Sequence, residues 1–294
     1  MIHLVAIVTE NGNRVLDLGA TKLPLVPFSA IPAIVNKSKN FVWLICGWVN
    51  YSSDIYRTKK FLISCGVPEY NIVNFEVINY ISPEWIGNLR HVEKYGADFF
   101  ATGISYIRVG LNLHYIPQTR LGGNLSGSNQ DLLQSYLTAQ YVFEHVKPGT
   151  IKFVIIGLAP YSFRYENAKA FTVCARHLQY MLALNAPARN NHDRLLQVLI
   201  RDNVKNLFAS VGAERADLNF DREKNNTREL SSKALVNWEN ELKNLTKKLF
   251  PESVEKNFQI LKAYIRLCID HGAKPVGVVF PFAPAMHANT AKNF

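Results

Sequence analysis

Two short runs of apolar residues constrain the fold of this chain more than any other feature. They are FVWLIC at residues 41–46 and the predicted strand at residues 151–158, which ends in the apolar run FVIIGL. Each run is too short for a typical helix and apolar on both faces, a pattern typical of parallel strands that are covered on both sides. Strand and helix patterns alternate along the chain, and this alternation predicts an α/β fold.

The other elements follow from periodicity and from turn residues. We predict further strands at residues 2–8, 72–75, 97–102 and 276–281. Helices are predicted to end near residue 64, with Gly66 as a left-handed cap, and to cover residues 106–113, 130–146 and 253–271. The last of these helices has an apolar face made of Val254, Phe258, Leu261, Ile265 and Ile269.

Two stretches interrupt the series of predicted helices and strands. Residues 78–97 are expected to hold a domain boundary, and the glycine-containing residues 121–128 are expected to form a turn. The predicted domains are a smaller α/β unit at residues 1–90 and a larger α/β domain at residues 91–294.

The composition excludes some classes of function. The 294 residues are 48% hydrophobic, enough for a large core, and the net charge is +10 with a pI of about 9.4. The basic residues are spread along the chain rather than clustered among aromatic residues, so we expect a solvated basic surface and no nucleic-acid partner. An anionic substrate or a membrane surface stays open.

The location is predicted from what the sequence lacks. No apolar run approaches the roughly 18 residues of a membrane span, and the first eight residues read as a strand rather than a signal peptide. The four cysteines form no C-x-x-C pair, which predicts reduced, buried thiols in a cytoplasmic protein, without a metal or an organic cofactor. A homo-oligomer is neither required nor excluded.

The candidate chemistry lies after the strands, because ligands of open α/β sheets bind beyond the carboxyl ends of the strands. Gly103 follows the strand at residues 97–102 and allows a tight turn, and Ser105 stands at the start of the next helix. Ser105 is either a nucleophile beside backbone N–H groups or a simple helix cap. After residues 121–123, Asn124, Gly127 and Ser128 offer amide and hydroxyl groups, or form an ordinary turn that caps the next helix.

Two charged features are interpreted as unrelated to a site. Glu166 has no cationic residue four positions later and is expected to be solvated. His192 and Asp193 are neighbours in sequence, so their side chains are expected to point apart on a helix.

The order of these motifs resembles the SGNH (GDSL-type) hydrolase superfamily, in particular the bacterial branch that includes D-alanine transfer proteins of cell-wall modification. Residues 101–105, ATGIS, are similar to the block that carries the nucleophilic serine, and residues 124–127, NLSG, are similar to the Asn-x-x-Gly block. Lys147-Pro148 and the strand at 153–158 are similar to the third block. The resemblance implies a three-layer, flavodoxin-like sandwich over residues 91–294.

The resemblance also implies a set of site residues. Ser105 would be the nucleophile, and Gly103, Asn124, Gly127 and Ser128 would bind the substrate or the oxyanion. The chain departs from the family at residues 159–161, APY, where Gly-x-Asn-Asp is frequent, and it has no Asp-x-x-His after the last strand. His287 is the histidine that follows that strand and is the candidate base, and we expect the second domain to be incomplete at its C-terminal end.

Residues 44–47 and 65–74 resemble the second half of a Rossmann-like unit, without the Gly-x-Gly loop that holds a diphosphate. For residues 1–90 we therefore favour a structural or docking role over nucleotide binding, and a nucleotide-sugar-dependent enzyme is the third hypothesis. The first hypothesis is a serine esterase or O-acyl transferase acting on a small-molecule or carbohydrate ester or on a surface polymer. The second is a non-catalytic module that binds carbohydrate or a protein partner.

Overall fold

A computed structural model of the chain describes residues 7–9, 14–17, 22–37, 41–45, 52–74, 82–111, 116, 122–171, 173–198 and 249–279. They belong to two compact units, one of residues 1–80 and 188–201 and the other of residues 81–187 and 202–294. The predicted division between residues 90 and 91 thus falls inside the second unit, and the short segment 188–201 belongs to the first. The predicted α/β class is confirmed, since parallel strand pairs alternate with helices in both units.

The described residues of the first unit form two small sheets. Its elements are β1 (Ile7–Thr9), β2 (Arg14–Asp17), β3 (Lys22–Pro27), α1 (Ile31–Lys37), β4 (Trp43–Ile45), α2 (Ser52–Ser64) and β5 (Ile72–Asn74). Strands β1 and β3 are parallel, β2 is antiparallel to β3, and β4 and β5 are parallel. Helix α2 ends as predicted: Gly66 has a φ of 88°, and the Val67 N–H donates to the Leu62 carbonyl at 3.0 Å.

Segment 188–201 joins the first unit through side chains of its helical residues 191–198. The Asn74 N–H donates to His192 Nε2 at 3.1 Å, and Asn191 Nδ2 donates to the Tyr70 carbonyl at 2.9 Å. His192 Nδ1 lies 3.8 Å from Asp193 Oδ1, nearer than side chains that point apart would be, but this distance is too long for a hydrogen bond. The buried Asp193 also pairs with Arg189 at 2.8 Å, so these groups stabilise the segment itself.

The second unit carries the larger described sheet. Its elements are α3 (Pro83–Tyr95), β6 (Phe99–Thr102), α4 (Ser105–Gly110), β7 (Gly122–Asn124), α5 (Leu132–His145), β8 (Phe153–Leu158), α6 (His177–Ala183), α7 (Val254–Asp270) and β9 (Lys274–Val279). The strand order is β7-β6-β8-β9, and all neighbouring strands are parallel. Helices α5 and α7 pack against each other. This packing is expected, because right-handed crossovers that run in the same direction across a sheet place their helices on the same face.

Helix α3 occupies the stretch that was predicted to be a boundary. Ser82 caps it by accepting the Trp85 N–H at 3.2 Å, Pro83 is its first residue, and Gly96 follows it with a φ of 76°. These are the usual signals of a helix start and end. Trp85 and Val92 are buried on its inner face. The division between the two units, between residues 80 and 81, lies within the range 78–97 predicted to hold a boundary. The helix that begins at Pro83 was not predicted, although its signals were present in the sequence.

Strand β7 replaces a predicted turn. A Cβ atom at Gly122 would lie 2.1 Å from the Phe99 ring, and one at Gly123 would lie 2.4 Å from a Val92 methyl group. Glycine is required here because neighbouring side chains fill the space above the strand. A pair of glycines usually indicates a turn, but here both residues lie in a strand that leaves no room for larger side chains.

The apolar face predicted for the last helix exists, but much of it is exposed. Val254, Phe258, Ile265 and Ile269 are 37–54% exposed, whereas Asn257, Tyr264 and Cys268 are buried. The Tyr264 hydroxyl shares a hydrogen bond of 2.8 Å with Thr102 Oγ1 at the end of β6. A polar bond therefore helps to fix α7 to the sheet.

No helix in the described ranges is both long enough and apolar enough to cross a bilayer. Cys174 and Cys268 are buried free thiols, as predicted, and Cys65 is a half-buried one. Cys46 lies outside the described residues.

Candidate active site at the ends of strands β6 and β8

The chain leaves strand β6 through a turn that only glycine can make. Gly103 has a φ of 129°, and a Cβ atom on it would lie 2.7 Å from the Gly157 carbonyl oxygen. Gly157 belongs to the neighbouring strand β8, and a Cβ atom there would lie 1.9 Å from Ile107 of α4. Two glycines thus let β6, β8 and α4 approach closely at the carboxyl edge of the sheet.

Ser105 is the first residue of helix α4 and is half-buried. The cap position belongs to Ile104, which makes no capping hydrogen bond, so the alternative that Ser105 merely caps the helix is wrong. Within the ranges that the structure describes, the Ser105 hydroxyl has no hydrogen-bond partner. Among the described residues, the hydroxyl at this strand exit thus stabilises no other group by a hydrogen bond.

Gln130 holds the turn before Ser105, and sequence reasoning missed it. The Gly103 N–H donates to Gln130 Oε1 at 2.7 Å, and Gln130 Nε2 donates to the Leu125 carbonyl at 3.1 Å. The side chain is 1% exposed. A glutamine just before a helix gives no signal of this role, because its partners come from two other segments of the chain.

Asn124 and Gly127 lie beside the same turn. Asn124 Oδ1 accepts hydrogen bonds from the Ser126 N–H, at 3.2 Å, and from the Ser126 hydroxyl. Its Nδ2 makes a long contact of 3.5 Å with the Ile107 carbonyl. The Gly127 N–H donates to the Gly103 carbonyl at 3.0 Å, so this amide already has an internal acceptor.

Ser128 connects two arginines to the site. Its hydroxyl accepts a hydrogen bond from Arg108 Nη1 at 2.9 Å, and its carbonyl accepts one from Arg176 Nη1 at 2.7 Å. Arg108 also pairs with Glu84 at 3.1 Å. The sequence places Ser128 in a turn but contains no sign that Arg108 and Arg176 both bind it.

The third strand exit is mainly structural. The Ser162 hydroxyl accepts the Ala159 N–H at 2.8 Å, and Tyr161 and Tyr165 are buried in an apolar cluster with Ile104. A small cavity between this cluster and the start of α5 has room for about one water molecule. It is far smaller than a carbohydrate ester.

The candidate base, His287, lies outside the described residues. The structure therefore brings Gly103, Ser105, Asn124, Gly127 and Ser128 to one edge of the sheet and says nothing about His287.

Glu166 is not solvated, contrary to expectation. Its carboxylate is 8% exposed and contacts Lys256 at 2.5 Å and Lys169 at 3.2 Å. Burial opposes ionisation, but hydrogen bonds from Lys256 and Ser253 outweigh it, so the pKa of Glu166 is lower than usual. Lys256 is ninety residues away in sequence, so local spacing could not indicate it. Lys169, three residues after Glu166, is a partner that local spacing does offer.

Comparisons with known proteins found no match to a family model, to a curated protein or to a solved structure.

Proposed function

We propose that the chain is an SGNH-type serine esterase or O-acyl transferase that acts on acylated carbohydrate or a related surface polymer, with Ser105 as its nucleophile. One observation carries the proposal: Ser105 begins the helix that follows β6 after a two-residue turn, in a parallel sheet where β6 neighbours both β7 and β8. If the described strands β6 to β9 of the second unit are numbered 1 to 4 along the chain, their order in the sheet is 2-1-3-4. Flavodoxin-like sheets have this order and bind ligands where strands 1 and 3 separate, the place where Ser105 lies.

The proposed reaction uses few groups. The Ser105 oxygen attacks the ester carbonyl carbon while a base takes the hydroxyl proton, and the ester C–O bond breaks as the alcohol leaves with a proton. Water or an acceptor hydroxyl then releases the acyl group from Ser105. Asn124 Nδ2 is the candidate oxyanion donor, since its 3.5 Å contact with Ile107 is weak. His287 remains the proposed base.

A non-catalytic module that binds carbohydrate or a protein partner is the second candidate. It is favoured by the Gly127 amide, which donates to Gly103 instead of facing a substrate oxygen. A serine without a nearby base is a poor nucleophile at neutral pH, and within the described ranges no histidine contacts Ser105.

Labelling with a fluorophosphonate probe separates the two candidates. We expect Ser105 to be labelled, and hydrolysis of p-nitrophenyl acetate to fall by at least about a hundredfold in Ser105→Ala with an unchanged melting temperature. Ser64→Ala is the matched control, because this exposed serine donates within its own helix, to the Phe61 carbonyl. A chain that stays unlabelled at Ser105 and keeps its background rate in Ser105→Ala would refute the esterase and favour the binding module.

A further inference from the structure

Arg108 lies on the Ser105 side of helix α4. It is three residues after Ser105, and residues at this spacing share a helix face. Its guanidinium is fixed by hydrogen bonds to the Ser128 hydroxyl and to Glu84. The side chain is 35% exposed, so a ligand can still reach the N–H groups that these bonds leave over.

Arg176 reaches the same place from another element. It ends the 3-10 helix Cys174–Arg176 and is half-buried, and it donates to the Ser128 carbonyl at 2.7 Å. Ser128 follows Gly127, whose N–H is bound to Gly103. Two guanidinium groups from distant parts of the chain therefore converge beside the turn that carries Ser105.

An acidic residue contacts this pair of arginines. Glu84 pairs with Arg108. Asp131, three residues after Ser128, accepts the backbone N–H groups of Gln134 and Asn167, both at 2.9 Å. Guanidinium groups that are held in place lose little freedom on binding, and their planar N–H pairs match the oxygens of carboxylates and phosphates.

We infer that Arg108 and Arg176 form an anion subsite beside Ser105, and that the substrate is an acylated sugar that carries a carboxylate or a phosphate. This inference rests on the proposed function, since it names the substrate class of the same site. A neutral acylated sugar would offer the two guanidinium groups no charged oxygen, and the site would select against it.

Three acetylated sugars that differ only at carbon 6 test the inference: methyl glucuronide with a carboxylate, methyl glucoside 6-phosphate, and uncharged methyl glucoside. We expect kcat/KM of the intact chain to be at least about tenfold higher for a charged ester, because a charge-assisted hydrogen bond is lost with the neutral one. The ratio between carboxylate and phosphate esters shows which anion the site takes. In Arg108→Gln and Arg176→Gln, the ratio of kcat/KM for the charged ester to kcat/KM for the neutral ester should approach one.

Arg266→Gln is the control, because this arginine is 75% exposed on α7 and pairs within its own helix, with Asp270. Its preference for charge should equal that of the unchanged chain. Arg108→Lys and Arg176→Lys keep the charge without the planar pair of donors and should retain part of the preference, which covers the case that a glutamine variant fails to fold.

The outcomes separate this inference from the proposed function. Equal turnover of charged and neutral esters by an active chain would overturn the anion subsite and leave the Ser105 proposal intact. Without turnover or Ser105 labelling the esterase fails, and calorimetry with the three unacetylated sugars then decides. Binding of a charged sugar that Arg108→Gln and Arg176→Gln both lose would support the subsite, and absence of charge-selective binding would refute it.

Discussion

Gly103 and Gly157 are in backbone contact: a Cβ atom on Gly103 would lie 2.7 Å from the carbonyl oxygen and 2.9 Å from the Cα atom of Gly157. The contact joins the exit of β6 to strand β8, next to Ser105. It fixes how closely the two central strands approach at the edge where the proposed substrate binds. One added carbon atom on Gly103 would therefore force the turn to move.

Gly103→Ala should lower the free energy of unfolding by about 3 kcal/mol, since it combines an unfavourable φ with a clash against backbone. Gly149→Ala is a matched control, because Gly149 has a φ of 77° but a Cβ atom added to it would meet no described atom within 4 Å. This control should cost only about 1–2 kcal/mol. Urea denaturation measures both variants, and equal losses would show that the Gly157 contact has no energetic role.

Gln130→Leu should cost about 1–3 kcal/mol, because it leaves the buried Gly103 N–H without its acceptor. Gln130→Glu keeps an acceptor for that N–H but loses the donor to the Leu125 carbonyl. Gln259→Leu, at an exposed position on α7, should change stability by less than about 0.5 kcal/mol. If Gln130→Leu is as stable as Gln259→Leu, Gln130 does not hold the turn.

Glu166→Gln should lower the free energy of unfolding at neutral pH by about 1–2 kcal/mol, through loss of the Lys256 and Lys169 ion pairs. The half-exposed Lys256 can be solvated in the variant, which limits the loss. The pKa of Glu166 is below its ordinary value of 4.5 in the folded chain. Its contribution is therefore present above that value and is lost as the pH falls through the lower, folded-state pKa.

The measurement for Glu166 is urea denaturation of both chains between about pH 7 and pH 3. The difference between them should be constant near neutrality and shrink in acid. A difference that grows in acid would contradict the sign of the shift.

Cys268 should resist alkylation in the folded chain. Burial raises the pKa of its thiol to about 12, and the thiolate is the reactive form. At about pH 8 we expect iodoacetamide to modify Cys268 at least roughly a hundredfold more slowly than the half-buried Cys65, as followed by peptide mass spectrometry. In urea the two rates should converge, and fast labelling of Cys268 without denaturant would show that α7 opens.

The strongest local patterns predicted the right elements in the right places. The strand predicted at residues 151–158 contains β8, residues 130–146 contain α5, and Gly66 ends α2 in the left-handed conformation. Hydrophobic period and capping chemistry act over a few residues, so they can be recognised in one sequence. Helix α3 had the same kind of signals in Ser82, Pro83 and Gly96, and its omission was an error of interpretation.

What the sequence by itself determined is the α/β class, most elements of the large sheet, and the position of Ser105 after a strand. Only the tertiary structure decided that Gly122 and Gly123 lie in a strand, that Gln130 holds the Gly103 turn, that Glu166 pairs with Lys256, and that Arg108 and Arg176 meet at Ser128. The reason is physical: these contacts join residues between 20 and 90 positions apart, and their energies depend on which surfaces the packed sheet brings together. Such partners therefore cannot be predicted from local periodicity.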